Sequence, residues 1–398
     1  MLLRLKKGED RRLRAGHSWV FSNEVDTGAT PLSAFTPDLT ARIVSDRDAF
    51  LGYGYVNPHA LISARLLSRD ERREPDGALL ASRIARALRL RERLHPTPHY
   101  RLVFGESDEL PGLIVDRYGD IAVGQIATAG MEARRPAIEA AIREVVAPRT
   151  LVWKNDTGAR DLEQLPKEIT VAFGELPEEL AVIENGIEFA VPFAQAQKTG
   201  WFYDQAANRA RLRELLPRDA RVLDVCSYAG AWAVTALKSG ARAAACVDAS
   251  AGALQAAGRN AARHDHALET LQGDAFDVLE SLAAAGRRFD AIVLDPPAFA
   301  KRRKDLPKAQ AAYRKLNQLA LRLLDEEGLL VSCSCSWHLA ESDLLAAIQA
   351  AARHVSRFVQ VLAVGGQAPD HPLHPAIPET RYLKAFFCRV LSGQAPTT

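Results

Sequence analysis

The chain has 398 residues, which is more than one ordinary domain needs and predicts two or three domains. Its 47% hydrophobic and 25% charged residues are typical of a soluble globular protein with a substantial core. A net charge of +2 does not by itself indicate nucleic-acid binding, and five cysteines at unrelated spacings argue against a disulfide framework.

The opening stretch, MLLRLKKGEDRRLR, contains no apolar segment of signal-peptide length. No segment of the chain approaches the roughly 20 apolar residues of a membrane span. We therefore expect a cytoplasmic protein with reduced thiols and no membrane association.

Residues 1–72 consist of short strand-like segments that are separated by glycine and proline. These segments are HSWVFSNEV, ARIVS, FLGYGYVNP and LISARLL, and they predict a small β-rich domain. The charged segment SRDERREPDG follows and predicts a domain boundary near residue 72.

Residues 73–182 contain both helical and strand patterns. A long basic helix is predicted at Leu79–Leu94, and strands are predicted at RLVFG, GLIVDRYGD and IAVGQIA. A helix at EARRPAIEAAIREVV and a strand at TLVWKND follow. We therefore expect a central domain of the α+β class.

Residues 183–398 are predicted to form the third domain. The segment AVIENGIEFAVPF (181–193) spans its start, alternates about Asn185-Gly186 and is a strong β-hairpin signal. The strands ARVLDVCSY, AAACVDAS, FDAIVLDPP and GLLVSCSCS then alternate with helices, and the strands FVQVLAVGG and RYLKAFFCRVL come last. This alternation predicts an α/β fold with a parallel, doubly wound sheet.

Basic residues cluster at three places in the chain. These are Arg11, Arg12 and Arg14 near the start, the arginines from Arg83 to Arg93 on the predicted long helix, and KRRK at 301–304. Such runs are more often solvated faces than nucleic-acid sites, so they are only a hint of a nucleic-acid partner.

The carboxyl ends of the predicted strands are where a doubly wound sheet binds its ligands. The residues at these ends are DVCSYAG (224–230), VDAS (247–250), GDAF (273–276), DPPAF (295–299) and SCSCS (332–336). These five segments therefore contain the candidate site residues.

The first loop, Asp224–Gly230, is built of small residues and suits close approach of a ligand to the backbone. It is not GxGxxG, since Gly230 is its only glycine, so a dinucleotide pyrophosphate site is poorly supported. Asp248 is placed to accept hydrogen bonds from both ribose hydroxyls, and we favour this role over capping the next helix. Asp274 is placed to bond an adenine amino group, with helix capping as an equal alternative.

Two ligand-binding acids without a phosphate site predict S-adenosylmethionine, a nucleoside that carries no phosphate. The DPPAF loop supports this interpretation, because Pro296 and Pro297 stiffen it and Asp295 and Phe299 would face a planar substrate. The residues predicted to bind the methyl donor are Asp224, Cys226, Ser227, Tyr228, Gly230, Asp248, Ala249, Ser250, Asp274, Ala275 and Asp295.

Two of the five cysteines, Cys333 and Cys335, lie at the end of one predicted strand. Carbon 5 of a pyrimidine is a weak nucleophile, and a thiolate that adds to carbon 6 activates it for methylation. We expect the strands that end at Asp295 and Cys335 to be neighbours, with Cys335 as the nucleophile, Cys333 as a packing residue and Asp295 near the ring's N3.

A zinc site is not expected, because no second Cys/His pair has ligand spacing. Cys226, Cys246 and Cys388 are predicted to be buried packing residues.

Across nearly its full length the chain resembles the bacterial 23S rRNA cytosine-5 methyltransferases of the rRNA large-subunit methyltransferase I type. The stretches that carry the resemblance are HSWVFSNEV, GESDELPGLIVDRYGD, KTGWFYDQ, DVCSYAGAWAVTAL, VLDPPAF, SCSCS and YLKAFFCRV. The resemblance implies an N-terminal PUA domain that binds RNA, a central α+β domain and a Rossmann-like class I methyltransferase domain with a seven-stranded sheet.

The resemblance also implies roles for individual residues. The family's SCS motif places the nucleophile at Cys335, and KTGWFYDQ adds Thr199, Phe202 and Asp204 to the donor site. The chain departs from the family in its first loop, where Cys226 and Ala231 replace an aromatic residue and a second glycine. The residues predicted to contact 23S rRNA are Pro296, Pro297, Phe299, Lys301, Arg302, Arg303 and Lys304.

Two other functions remain compatible with these residues. DPP-aromatic loops also serve methylation of an exocyclic amine, such as adenine N6 or guanine N2, which needs no cysteine. A non-catalytic RNA-binding assembly protein with a vestigial methyltransferase fold is the second alternative. The sequence is compatible with a homodimer but does not specify the oligomeric state, and DPPAF offers no base for the carbon 5 proton.

Overall fold

The computed structural model describes residues 1–300 and 302–393 of the chain. The chain is divided into two units, of which the first comprises Met1–Glu178, Ala196–Trp201 and Asp370–Thr380. The second unit comprises Glu179–Gln195, Phe202–Pro369 and Arg381–Thr398. The three-domain division at residues 72 and 182 stays a proposal. Among the described residues, no helix combines the length and the apolar character that a membrane span requires.

The first unit begins with a five-stranded sheet in the strand order β1-β3-β4-β5-β2. Its buried core includes Leu3, Val20, Ile43 and Val56. The predicted β-rich domain is confirmed, although the short first strand was not anticipated. The elements are β1 (Leu2–Arg4), α1 (Arg11–Arg14), β2 (Trp19–Phe21), β3 (Ala41–Val44), β4 (Phe50–Val56) and β5 (Ile62–Ser68).

A second five-stranded sheet of the first unit has the order β10-β9-β8-β7-β6. Its core joins Leu80 and Ile84 of one helix to Ile138 of another and to Trp153 in the sheet. The elements are α2 (Gly77–Leu94), β6 (His99–Phe104), β7 (Leu113–Tyr118), β8 (Ile121–Ile126), α3 (Ala129–Glu132), α4 (Arg135–Val145), β9 (Thr150–Asn155) and β10 (Glu168–Phe173).

The arginines of α2 do not form one solvated basic face. Arg91 is fully buried and donates to both carboxylate oxygens of Asp108, at 2.6 and 2.7 Å. Arg83 is also buried and donates to the backbone oxygens of Glu109 and Leu67. A buried guanidinium must be paired, and these two arginines are therefore part of the fold. The hint of a nucleic-acid surface along α2 is wrong for them.

The second unit opens with the predicted hairpin, which is confirmed. Strands β11 (Glu179–Glu184) and β12 (Ile187–Pro192) pair antiparallel, with Glu184 opposite Ile187. The two turn residues, Asn185 and Gly186, have φ of 51° and 77°. Positive φ at both positions is what a two-residue type I′ hairpin requires, and Asn-Gly adopts it readily.

The main sheet of the second unit has seven strands in the order β15-β14-β13-β16-β17-β19-β18. The doubly wound sheet is confirmed, but β19 runs antiparallel to both of its neighbours. Its elements are α5 (Ala206–Leu215), β13 (Arg221–Val225), α6 (Ala231–Lys238), β14 (Ala243–Asp248), α7 (Ala251–Ala262), β15 (Glu269–Gln272), α8 (Ala275–Ala284), β16 (Phe289–Leu294), α9 (Leu306–Leu323), β17 (Leu324–Ser334), α10 (Glu341–His354), β18 (Arg357–Gly365) and β19 (Lys384–Ser392).

Strand order reverses between β13 and β16, which are parallel neighbours. From β13 the chain proceeds to β14 and β15 on one side, and from β16 it proceeds to β17 on the other. The carboxyl ends of these strands therefore lie at the position where such sheets bind ligands. The expected pairing of β16 with β17 is confirmed, with Leu294 opposite Ser332.

Candidate active site

The loop between β13 and α6 is held close to the neighbouring strand by its backbone. The N–H of Cys226 donates to the oxygen of Val247 at 2.8 Å, and Cys226 and Tyr228 both have positive φ, of 64° and 49°. Gly230 has φ of 76°, and a Cβ there would lie 2.7 Å from the Cβ of Ala257. Only glycine fits this position, because both the conformation and the space exclude a side chain.

Asp224 lies beneath this loop and is fully buried. Its Oδ2 accepts from the N–H of Ala233 at 3.2 Å, whereas Oδ1 has no hydrogen-bond partner within the described residues. Burial raises the pKa of Asp224 to about 8, and the charges of Asp295 and Asp248 add to the effect. The carboxyl group is therefore mostly protonated at neutral pH, with one polar atom available to a ligand.

Asp248 ends β14 and is half-buried. Its Oδ2 accepts from the N–H of Tyr228 and its Oδ1 from the N–H of Ser250, both at 2.9 Å. The cap of α7 is Ser250, whose Oγ accepts from the N–H of Ala253 at 3.2 Å. The alternative that Asp248 caps this helix is therefore wrong, and the hydroxyl of Ser250, a predicted donor contact, serves as the cap.

Asp274 is the N-cap of α8, and its Oδ1 accepts from the N–H of Phe276 at 2.8 Å. The side chain is exposed and lines a cleft of about 520 Å³ between β15 and α8. The capping alternative is thus observed for Asp274. A contact of Asp274 or Ala275 with adenine stays a prediction.

Asp295 follows β16 and is held by two N–H donors. Gln205 donates from Nε2 to its Oδ1 at 2.8 Å, and Trp232 donates from Nε1 to its Oδ2 at 3.0 Å. Burial raises the pKa of Asp295 and the charge of Asp204 adds to this, while the two donors and Arg209 oppose the shift. The carboxylate is therefore fixed in orientation by side chains that lie far from it in sequence.

The three residues of KTGWFYDQ that were predicted to bind the donor are divided between the two units. Thr199 belongs to the first unit, where its buried hydroxyl donates to the carboxylate of Asp116. Phe202 and Asp204 belong to the second unit, and the ring of Phe202 meets that of Tyr228 edge-on at 5.3 Å. Tyr382 donates to Oδ2 of Asp204 at 2.5 Å.

Cys333 and Cys335 differ in their surroundings. Cys333 lies within β17 and is fully buried, which raises the pKa of its thiol well above the ordinary value. Cys335 follows the last residue of β17, Ser334, and is half-buried, with its Sγ 3.9 Å from the oxygen of Pro296. Cys335 therefore emerges from the core beside the loop that carries Asp295, as predicted, while Cys333 does not.

The other three cysteines are free thiols. Cys246 and Cys388 are buried, as expected, whereas Cys226 is half-buried in the loop after β13. Within residues 1–300 and 302–393, no group of three or more His, Cys, Asp or Glu side chains has a geometry that could hold a metal ion.

The turn that follows Cys335, here called the Cys335 turn (residues 335–339), is fixed by side chains from two other elements. The Oγ of Ser334 donates to the hydroxyl of Tyr313 on α9 at 2.8 Å. Burial raises the pKa of Tyr313 to about 12, so its hydroxyl stays protonated. The Nζ of Lys384 on β19 donates to the oxygens of Ser336 and Leu339, at 2.6 and 2.8 Å.

Sequence reasoning did not identify Gln205, Trp232, Tyr313 or Lys384 as site residues. Gln205, Trp232 and Lys384 lie in the family-like stretches KTGWFYDQ, DVCSYAGAWAVTAL and YLKAFFCRV, which was an available signal. Tyr313 lies within a helical pattern and had no local signal.

The loop after β16 was predicted to face a planar substrate. Pro296 is buried and Pro297 is exposed. The half-buried ring of Phe299 packs 4.8 Å from the ring of Tyr313 and 6.4 Å from that of Phe276. Part of the Phe299 ring is therefore used in packing, and its contact with a substrate stays a prediction.

The basic segment KRRK is only partly within the described residues, because Lys301 lies outside them. Arg302, Arg303 and Lys304 are exposed. Arg302 pairs with Asp305, with Nε 3.4 Å from Oδ2. Arg302, Arg303 and Lys304 are therefore accessible to solvent, as an RNA contact would need, and the contact itself stays a prediction.

Comparison with known proteins places these features in a family. Residues 167–387 match the model of the S-adenosylmethionine-dependent methyltransferases, and residues 3–69 match that of the PUA-like domains. A ribosomal RNA large subunit methyltransferase I of Aliivibrio fischeri is 35% identical over 397 residues, which cover 97% of this chain and 98% of the relative. The chain belongs to the ribosomal RNA large subunit methyltransferase I family. A relative of the same name from Shewanella denitrificans is 36% identical, over 98% and 99% of the two chains.

The fold is also that of solved methyltransferase structures. A methyltransferase complexed with S-adenosylhomocysteine superposes with a TM-score of 0.83 and 22% identity, over 98% of this chain and 100% of the other. S-adenosylmethionine is the methyl donor of the protein. The first loop fits this ligand, because the buried Oδ1 of Asp224 has no partner among the described residues and the Asp248 carboxylate, at the end of β14, is half-exposed.

Proposed function

We propose that the protein methylates carbon 5 of a cytosine in 23S rRNA through a covalent bond between Cys335 and carbon 6 of the base. The observation that carries the proposal is the half-buried Cys335 at the end of β17, next to the Asp295 loop. The names of the relatives support ribosomal RNA of the large subunit as the substrate.

The donor is held, in this proposal, by the ends of β13, β14 and β15, through Asp248 and the loop from Cys226 to Gly230. Phe202 and Tyr228 supply the aromatic wall of this pocket, since their rings are in edge contact. When bound, S-adenosylmethionine supplies an electrophilic methyl group for carbon 5.

Cys335 acts on the base as a thiolate. Its Sγ forms a bond to carbon 6, and the electron pair of the 5,6 double bond becomes available at carbon 5 for methylation. A basic group then removes the proton of carbon 5, the double bond forms again, and the bond between Sγ and carbon 6 breaks. Asp295 is oriented by Gln205 and Trp232 and has a raised pKa, which suits a carboxyl group that bonds the ring's N3.

In this proposal, two regions of the protein bind the RNA: a PUA-like domain and a basic segment. The first is the PUA-like domain at residues 3–69. The second is the exposed segment that contains Arg302, Arg303 and Lys304, next to the Asp295 loop. A protein with this substrate would act in the cytoplasm.

The proposal is tested with an RNA substrate that carries 5-fluorocytosine at the methylated position. Fluorine cannot leave as a proton does, so the bond between Sγ and carbon 6 should persist after methyl transfer. Mass spectrometry of the tryptic peptides should then find the nucleotide on Cys335. Cys333→Ala, as the matched control, should form the same adduct.

Two results would contradict the proposal. An adduct on Cys333 would move the nucleophile to the other cysteine. Absence of any adduct, together with methylated adenine N6 or guanine N2 in the product RNA, would support the exocyclic-amine alternative instead.

A further inference from the structure

Lys384 is a buried lysine whose ammonium group lies beside the Cys335 turn. The residue is only 5% exposed, and it pairs with Ser334 in the β17–β19 ladder. Two of its three N–H donors are used on the backbone oxygens of Ser336 and Leu339. Lys384 therefore holds both ends of the turn that follows Cys335.

Among the described residues, the acceptors of the ammonium group are neutral carbonyl oxygens and none is an anion. In the described part of the chain Lys384 forms no ion pair, and the charged or titratable groups that act on it are Cys335, Arg381, Glu341 and Asp343. A buried charge is costly unless an opposite charge compensates it. Cys335 carries such a charge only when it is a thiolate.

We propose that Lys384 is a positioning residue that stabilises the thiolate of Cys335 and fixes the turn that presents it to the base. The inference rests on the proposed function, in which Cys335 is the nucleophile. In the step concerned, the S–H bond of Cys335 breaks, the proton passes to solvent, and the electron pair stays on Sγ, whose negative charge interacts with the ammonium group.

The effect has a defined pH window. Burial lowers the pKa of Lys384 to about 8, whereas the charge of Cys335 acts in the opposite direction. The ammonium group is therefore charged below about pH 8 and loses its charge above it. Tyr313 and Cys333, which also lie near Cys335, have raised pKa values and stay neutral in this range.

The test measures alkylation of Cys335 by iodoacetamide in the full chain, without RNA, as a function of pH. Lys384→Met removes charge and donors, Lys384→Gln keeps donors without charge, and Lys384→Arg keeps both. At neutral pH we expect the Met and Gln variants to react at least about tenfold more slowly than wild type, and the Arg variant to react close to the wild-type rate. Cys226 serves as an internal control that should stay unreactive in every variant, because burial and the nearby carboxylates raise the pKa of its thiol.

A folded Lys384→Gln protein that alkylates Cys335 at the wild-type rate would overturn the proposal. Should neither neutral variant fold, the wild-type profile alone decides. Its midpoint must lie below the value of an ordinary thiol, about 8.5, and a midpoint at or above that value refutes the inference.

The experiments distinguish a failure of the role of Lys384 from a failure of the proposed function. If the 5-fluorocytosine adduct forms on Cys335 and the variants react like wild type, only the role of Lys384 fails. If no adduct forms on Cys335, the proposed function fails, whatever the alkylation rates are.

Discussion

The carboxyl ends of β13 and β14 differ from those of β16 and β17 in how their functional groups are held. At the first pair, backbone groups hold the functional side chain, since Asp248 accepts hydrogen bonds from the N–H groups of Tyr228 and Ser250. At the second pair, side chains from distant elements hold the site. Gln205 and Trp232 orient Asp295, and Lys384 holds the turn after Cys335.

We expect this difference to decide where the chain can depart from the family pattern without losing a site. A pocket that is held by backbone hydrogen bonds depends on conformation more than on side-chain identity. The family-atypical Cys226 and Ala231 are therefore acceptable in the first loop, provided that Gly230 keeps its positive φ. A site that is held by side chains loses its geometry when any one of them is changed.

The largest effect is expected at the side-chain-held end. Cys335→Ala should abolish methyl transfer, because carbon 6 then has no nucleophile, but it should leave donor affinity unchanged. Methyl incorporation into rRNA and calorimetric titration with S-adenosylmethionine measure the two quantities. The matched variant Cys333→Ala should keep most activity and lose at most about 1–2 kcal/mol of stability, from a partly emptied core position. Full activity in Cys335→Ala would mean that the end of β17 does not supply the nucleophile.

Local sequence signals predicted what depends on local structure. The Asn185-Gly186 hairpin and the pairing of β16 with β17 follow from turn chemistry and from strand–helix alternation, and both are confirmed. The emergence of Cys335 beside the Asp295 loop followed from the same topology.

The rest depended on tertiary contacts that no local pattern contains. Arg91 looks like a surface charge until Asp108 is placed against it, 17 residues away in sequence. Lys384 reaches carbonyl groups more than 40 residues away, and its antiparallel strand was not distinguishable from a parallel one. The sequence alone did not exclude helix capping by Asp248, and the structure excludes it because the N-cap of α7 is Ser250.

A smaller effect is expected at the backbone-held end. Asp248→Ala should weaken binding of S-adenosylmethionine by roughly 1.5–3 kcal/mol, because the ribose loses charge-assisted hydrogen bonds. Ser250→Ala is the matched control, since it removes the cap of α7 and should cost about 1 kcal/mol of stability, with a smaller change in donor affinity than Asp248→Ala causes. Calorimetry and thermal unfolding of both variants test the pair. Equal donor affinity in Asp248→Ala and wild type would remove Asp248 from the donor site.

The last prediction concerns Asp224 and the dependence of stability on pH, and it does not involve methyl transfer. Its pKa is raised to about 8 by burial, so the folded protein holds a proton that the unfolded chain releases near pH 4. The stability that this group contributes is therefore full below about pH 4 and declines as pH rises towards 8, by at most about 1.4 kcal/mol per pH unit. In the Asp224→Asn variant, the side chain at this position is an amide and does not titrate.

The free energy of unfolding of the Asp224→Asn protein, relative to wild type, should consequently rise between about pH 4 and pH 8 and be level above that range. Urea unfolding of both proteins without S-adenosylmethionine at several pH values measures this difference. A constant difference across the range would mean that Asp224 is ionised in the folded protein. A buried charge would then lie beneath the first loop, and this loop would no longer differ from the Cys335 turn in being held mainly by neutral backbone groups.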